Sequence, residues 1–291
     1  MSKKIDQEIE TINAHAGGST LTKVARATAL GHVFDVWRQE LNLQVTSLAL
    51  VKTAHIAAYV KHELEAGKSL RSIQNEMSHV RTGLKHLGRE QFAKSDQLSN
   101  RAMGLAGASR DGTHRALTPE QYDQVLSAAR DRHAGFAICV EMQRELGLRA
   151  REAVQSVASL KAWGKALAKG QDIKVIHGTK GGKPRLTGAL NPEKALVIVR
   201  SALTIAQGQK GNLVQSTSLQ GAMRAYGRHG EAVGLKGEHA SHALRYSYAQ
   251  DRFAQYMIAT GGDRKESLAL TSLDLGHGDG RGTYVDQVYS K

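Results

Sequence analysis

Apolar residues recur at helical spacing through the first third of the chain. Residues 21–40 carry Leu21, Val24, Ala25, Leu30, Val33, Phe34 and Trp37, the three-and-four step of an amphipathic helix. Residues 47–66 repeat the pattern, and Gly67 predicts its stop. The cleanest case is 69–87, where Leu70, Ile73, Met77, Val80, Leu84 and Leu87 line one face. Ser69 is placed to cap that helix and Gly88 to end it. A weaker pattern predicts a further helix from Ser95 to Leu105. Residues 1–105 therefore read as a small bundle of about four helices.

The pattern lapses over 106–116 (AGASRDGTHRA), which reads as a linker. It resumes at Leu117-Thr118-Pro119-Glu120-Gln121. Thr118 as N-cap, Pro119 in the first turn and Gln121 three residues after the cap predict a capping box and a domain start. Tyr122, Val125 and Leu126 then face a core. Residues 135–146 predict a buried helix. Gly147-Leu148-Arg149-Ala150-Arg151-Glu152 makes a short turn into another helical run reaching about Leu160. At 172–189 the period changes to two. Ile173, Val175 and His177 alternate with polar residues, Thr179-Lys180-Gly181-Gly182-Lys183 turns, and Arg185-Leu186-Thr187 returns. That is a hairpin with a basic tip. Helices follow over 192–208, 216–233, 240–258 and 264–275, the last ending at Gly276. Residues 117–291 thus predict a mainly helical domain around one small antiparallel sheet.

Charge adds a partner class. The 291 residues carry a formal net charge of +13. Residues 1–116 hold 16 basic and 11 acidic residues, and the remainder 24 and 16, so both parts carry the excess. A spread excess suits two domains that both meet a polyanion. Lys52, Lys61, Arg71, Arg81, Lys85 and Arg89 sit on the first helices, where as a set they can line a phosphate groove. Aromatic residues make up only 5%, so no stacking platform for single strands is visible. The start MSKKIDQEIE lacks an apolar signal core. No 18-residue apolar run predicts a membrane span. The one cysteine, Cys139, excludes an internal disulfide and a cysteine zinc site. A cytoplasmic protein is expected.

The residues that carry chemistry concentrate after His239. His242 and Arg245 stand one helical turn apart, His277 follows in Leu-Gly-His, and Tyr284 and Tyr289 lie near the end. Cleaving a phosphodiester requires a nucleophile, positive charge on the pentavalent phosphate and a proton for the leaving oxygen. The acidic residues are scattered, so the carboxylate cluster of a metal-dependent nuclease is not evident. Arginine suits bidentate contact with nonbridging oxygens. A tyrosine can attack phosphorus if a base takes its proton, and histidine is such a base. The hairpin is not a nucleotide-binding P-loop, because Gly178 to Gly182 leaves three intervening residues and Pro184 follows Lys183.

Five motifs in order give these residues a family likeness. Gly147-Leu148-Arg149-x-x-Glu152, His177 to Arg185, His242-Ala243-Leu244-Arg245, Leu275-Gly276-His277 and Asp286-Gln287-Val288-Tyr289-Ser290-Lys291 resemble the catalytic-domain motifs of the tyrosine recombinases, the phage-integrase family. The Leu117-Thr118-Pro119-Glu120 opening is similar too. The likeness covers about 175 residues; residues 1–105 resemble the family's core-binding domain only in size and helicity. The resemblance implies that Arg149 and Arg245 hold the scissile phosphate. It implies that Lys180, with Lys183 as its rival, protonates the leaving 5′ oxygen. His242 would act as acid and base, His277 would hydrogen-bond the phosphate, and Glu152 would support the site by orienting Arg149 or His242. A tyrosine would form a 3′-phosphotyrosyl bond that conserves the bond energy, so neither cofactor nor metal is called for. The partners implied are double-stranded DNA, a homotetramer on two duplexes and an accessory directionality protein. The setting implied is integration or excision of a mobile element.

Two departures stand out. The family's nucleophile commonly lies nine residues after the histidine of Leu-Gly-His, and here that position is Asp286. Tyr289 is favoured because Gln-Val-Tyr-Ser resembles the family's local sequence and Gly278–Gly282 can hold an insertion; Tyr284 is the alternative. The sequence also ends two residues after Tyr289, where family members often carry a further helix. The displaced tyrosine keeps a second reading open, a DNA-binding accessory protein on the same fold with weak or no catalysis.

Overall fold

The computed structural model describes residues 3–109 and 111–290. The chain forms two compact units that divide between Ser109 and Arg110.

The first unit contains α1 (Lys3–His15), α2 (Thr20–Asp35), α3 (Thr53–Glu65), α4 (Leu70–His86) and the single turn α5 (Glu90–Ala93). The Ser69 hydroxyl caps α4, accepting from the Ser72 amide, and Gly67 and Gly88 take the left-handed conformation that ends α3 and α4. The stripes meet in one core built on Ile5, Leu30, Phe34, Trp37, Tyr59 and Met77. Gly83 lets α4 come close: a Cβ there would lie 2.6 Å from Leu48 Cδ1 and 3.3 Å from Ile12 Cδ1.

Several expected boundaries move. The run at 21–40 leaves the α pattern at Val36–Glu40, which forms a π-helical turn. The run at 47–66 opens as a 3-10 turn, Leu48–Leu50, before α3 begins. The helix expected from Ser95 to Leu105 is absent; only Asp96–Leu98 forms a 3-10 turn. Leu98 and Leu105 are buried there, but the backbone is satisfied from outside the segment. Arg81 donates to the Leu98 carbonyl at 2.9 and 2.7 Å, and Gln74 donates to the Leu105 carbonyl at 2.6 Å. Helix α1 was not anticipated, although Ile5, Ile9 and Ile12 are buried along it.

The second unit contains α6 (Pro119–Arg132), α7 (Ala134–Leu146), α8 (Ala150–Val154), α9 (Leu160–Leu167), strands β1 (Ile173–Val175) and β2 (Arg185–Thr187), α10 (Pro192–Gly208), α11 (Leu219–Ala232), α12 (Ala243–Ala259), α13 (Arg264–Asp274) and α14 (Gly282–Tyr289). Thr118 and Gln121 make the predicted capping box. Helix α7 is buried nearly all round, with α6, α10 and α12 packed on it. Its polar residues Glu141, Gln143 and Glu145 are buried too, and Gln143 is hydrogen-bonded to the Cys139 carbonyl and the Tyr226 phenol. The strands pair antiparallel, with Ile173 opposite Thr187 and Val175 opposite Arg185. A second cluster joins Tyr246, Tyr248, Leu268, Leu275, Val285 and Tyr289, fixing α12, α13 and α14 together. Helices α9 and α14 were not anticipated, and α12 begins at Ala243 rather than Ala240. No helix among the described residues is long and apolar enough to cross a membrane.

Candidate active site

Glycines at two tight turns bring the motifs together. Gly147 ends α7 in the left-handed conformation, φ +59°, with its α-carbon against the Tyr248 ring. The chain therefore turns at once into Arg149 and α8. Gly276 ends α13 at φ +64°, and a Cβ there would run into the Cδ of Arg185. The glycine of Leu-Gly-His is thus required twice, by the backbone angle and by the arginine stem crossing it. The hairpin tip is fixed against α8: a Cβ on Gly178 would lie 2.6 Å from the Arg151 carbonyl oxygen.

Glu152 is the hub. It is fully buried and accepts from the Arg149 amide at 2.8 Å, from the Arg149 guanidinium at 2.7 Å and from the Arg185 guanidinium at 2.8 Å. Burial opposes its ionisation, yet Arg185, Arg245 and Arg149 hold its carboxyl below the usual range. Arg185 also donates to the carbonyls of Gly147 at 3.2 Å and of Asp274. Burial, then the neighbouring Arg245, pulls its guanidinium down to about 10.

Arg149, Lys180, His242, His277, Tyr284 and Tyr289 line one cleft of about 980 Å³, with Arg185, Lys183 and Arg281. Arg245 does not line it. It lies fully buried, its terminal nitrogens donating to the carbonyls of Gly147 and Leu275. Lys180 stands exposed at the hairpin tip, beside two glycines of positive φ. His242 immediately precedes α12. Burial, then Arg245, His114 and Arg149, push its imidazole down to about 3. His277 is likewise pushed down to about 3 by burial, Arg245, Arg149, Lys180 and Arg185. Both rings are therefore neutral near pH 7.

The two tyrosines differ in placement. Tyr289 ends α14, is 3% exposed, and its phenol lies 3.2 Å from His277 Nε2. Its ring packs 4.6 Å from Tyr246 and 6.2 Å from His242. Tyr284, 36% exposed, sets its ring edge-on to His277 at 4.9 Å. Asp286, at the ordinary spacing, is ion-paired to Arg264 at 2.6 Å.

Sequence reasoning missed Arg185, His114 and Arg281 as site residues. Strand parity was the available signal for Arg185, since Val175 and its cross-strand partner share a face. Nothing marked His114, which comes from the segment read as linker. In the first unit, His32, Glu63 and Glu76 form a group with metal-ligand spacing. The Lys68 ammonium already sits among them, 2.6 Å from Glu76 and 2.9 Å from His32.

Two family models match the chain. One for the phage integrase N-terminal domain covers residues 1–93, and one for integrase covers residues 104–251. The chain belongs to the integrase family of tyrosine recombinases. Its fold is similar to integrase structures across nearly its whole length. One is a lambda integrase dimer bound to a COC′ core site, at TM-score 0.60 and 19% identity, covering 99% of this chain and 95% of that one. A second is the Tn1549 transposon integrase with transposon right end DNA, at TM-score 0.57 and 14% identity, covering 97% and 93%. A third is a lambda integrase tetramer on a Holliday junction, at TM-score 0.57 and 19% identity, covering 96% and 75%. No curated protein sequence matches the chain. The integrase model ends before His277 and Tyr289, so their assignment rests on the cleft itself.

Proposed function

We propose that this integrase is a site-specific recombinase that cuts and rejoins double-stranded DNA through a 3′-phosphotyrosyl bond to Tyr289. The observation that carries the reading is the 3.2 Å contact between the Tyr289 phenol and His277 Nε2, in the cleft that Arg149 and Lys180 also line. The Tyr289 oxygen attacks phosphorus, the bond from phosphorus to O5′ breaks, and Lys180 supplies the proton to that oxygen. Arg149, aligned by Glu152, binds nonbridging oxygens; a preorganised donor of this kind is worth about 3–4 kcal/mol in the transition state. Arg245, buried behind Arg149 and Glu152, adds positive charge without lining the cleft.

The geometry favours His277 over His242 as the acceptor of the phenol proton. An imidazole held near 3 is a poor base. A phosphodiester anion about 5 Å away, at an effective dielectric near 20, favours the protonated ring by about 3 kcal/mol, or about two pKa units. DNA binding thus readies the base it needs. We propose further that four copies act on two duplexes and that the setting is a mobile element, as the lambda and Tn1549 likenesses suggest. An accessory directionality protein fits such a system.

The second reading, a DNA-binding protein without cleavage, draws on Arg245, whose two terminal nitrogens are spent on carbonyls. Covalent capture from a pool of random duplexes decides between them. Wild-type protein should retain DNA after denaturation and enrich one site, while Tyr289→Phe retains none. Capture lost only in Tyr284→Phe would overturn the choice of nucleophile, and no capture by wild type would favour the binder.

A further inference from the structure

The segment 111–115, where the chain enters the second unit, lies across the site. The Asp111 carboxylate accepts from Gln287 Nε2 at 3.2 Å, on the last turn of α14. Gly112 passes so close to that helix that a Cβ would run into the Val288 carbonyl and the Tyr246 phenol. The His114 ring stands edge-on to His242 at 5.6 Å and to Tyr246 at 5.9 Å. Arg115 anchors the far end, its amide donating to the Glu238 carbonyl at 3.0 Å and its guanidinium pairing with the Glu238 carboxylate at 3.1 Å.

We propose that residues 111–115 form a strap that positions Tyr289 for attack, with Gly112 and His114 as its positioning residues. The proposal rests on Tyr289 being the nucleophile. Helix α14 is only eight residues long, too short to hold itself in place. Its last turn takes its position from what packs on it. Beneath, Gln250 donates to the Tyr289 carbonyl at 3.0 Å, and the Tyr246 ring lies against the Tyr289 ring at 4.6 Å. Above, the strap grips Gln287, Val288 and the hydroxyl of that same Tyr246. Gly112 has an ordinary backbone angle, so a side chain there is opposed by the close approach alone. Any side chain at 112 lifts the strap, and the phenol loses its support.

Reactions of this kind fall about a hundredfold when a reacting group moves by about 1 Å. Single-turnover cleavage by full-length Gly112→Val should fall by about that factor, with duplex affinity held within about threefold. The substrate is the duplex enriched by covalent capture, in two forms: one natural, one with sulfur in place of the bridging 5′ oxygen. In the sulfur form the bond from phosphorus to sulfur breaks and a thiolate leaves, which needs no acid. A displaced nucleophile stays slow on both forms. Lys180→Ala, lacking the acid, should regain speed on the sulfur form and so marks the difference. Gly112→Val cleaving at the wild-type rate, or regaining speed on the sulfur duplex, overturns the strap. Gln287→Ala removes one contact from the opposite side, so it tests the strap without crowding the chain, and should slow both forms several-fold. Hydrogen exchange without DNA gives an independent reading: amides of 283–290 should exchange faster in Gly112→Val while α7 stays unchanged. Exchange unchanged in α14 overturns the strap even if wild type captures no DNA, an outcome that would overturn the recombinase reading separately.

Discussion

Replacing Glu152 by glutamine tests the hub of the site. Glutamine keeps the shape and one acceptor oxygen but removes the charge. Glu152 is fully buried, and Arg149 and Arg185 contact it at 2.7 and 2.8 Å with side chains 22% and 6% exposed. Arg245 is buried beside them. Removing one partner of a buried ion pair costs about 3–5 kcal/mol, because the remaining charges stay buried without compensation. A domain of ordinary stability has about 5–15 kcal/mol in total, so Glu152→Gln should lose a large share. Urea denaturation of wild type and variant at pH 7 measures it directly. The same reasoning predicts a rescue. A doubly charged oxyanion in the cleft takes over the lost compensation, and sulfate at a hundred times its dissociation constant should return about 2.7 kcal/mol. Sodium chloride at equal ionic strength should return far less, and wild type should gain less than the variant. Glu152→Gln within about 1 kcal/mol of wild type, or equal rescue by both salts, would refute the account of Glu152 as the shared counter-charge.

Three further outcomes follow from the same geometry. His242, neutral in the fold down to about 3 and titrating near 6.5 when unfolded, gives full stability above pH 6.5 that drains as pH falls towards 3. Between pH 7 and pH 5 the loss is about 2 kcal/mol for this one ring, and a His242→Gln variant should show a correspondingly flatter pH dependence of unfolding. His277 should titrate about two units higher by NMR once the duplex is bound; an unmoved midpoint would remove it as the base. Gly276→Ala should lose the 1–2 kcal/mol, roughly, of a left-handed backbone plus the displacement of Arg185. Gly280→Ala, with a positive φ in open space, should lose the backbone share alone, so equal losses would deny the Arg185 contact.

Much of the architecture was legible because local signals and tertiary packing agree. The Thr118 capping box, the Ser69 cap and the glycines after α4 and α13 each fix a boundary through backbone hydrogen bonds that neighbouring residues alone satisfy. The segment Ser95–Leu105 was misread because its carbonyls are satisfied by Arg81 and Gln74 from another helix. Of the candidate residues, Arg149, Lys180, His242 and His277 follow from motif order, while Tyr284 and Tyr289 stand off the ordinary spacing; all six line the cleft. The burial of Arg245 was not readable, since its partners, the Gly147 and Leu275 carbonyls, lie 98 and 30 residues away. His114 was hidden for the opposite reason: a short polar segment rich in small residues looks like a linker whether or not it is clasped.

The hairpin inverts the usual sorting of residues, with Arg185 inward and Leu186 58% exposed. A slip of one residue along β2 would bury the leucine and expel the arginine, an exchange that greasy collapse alone would favour. What forbids the slip is Glu152, together with the carbonyls of Gly147 and Asp274. Strand register here is therefore checked by charge, and it can be checked only after α7, α8 and α13 have come together. A chain caught half-assembled lacks Glu152 and the Gly147 and Asp274 carbonyls that fix β2, and with them the register of the hairpin that carries Lys180.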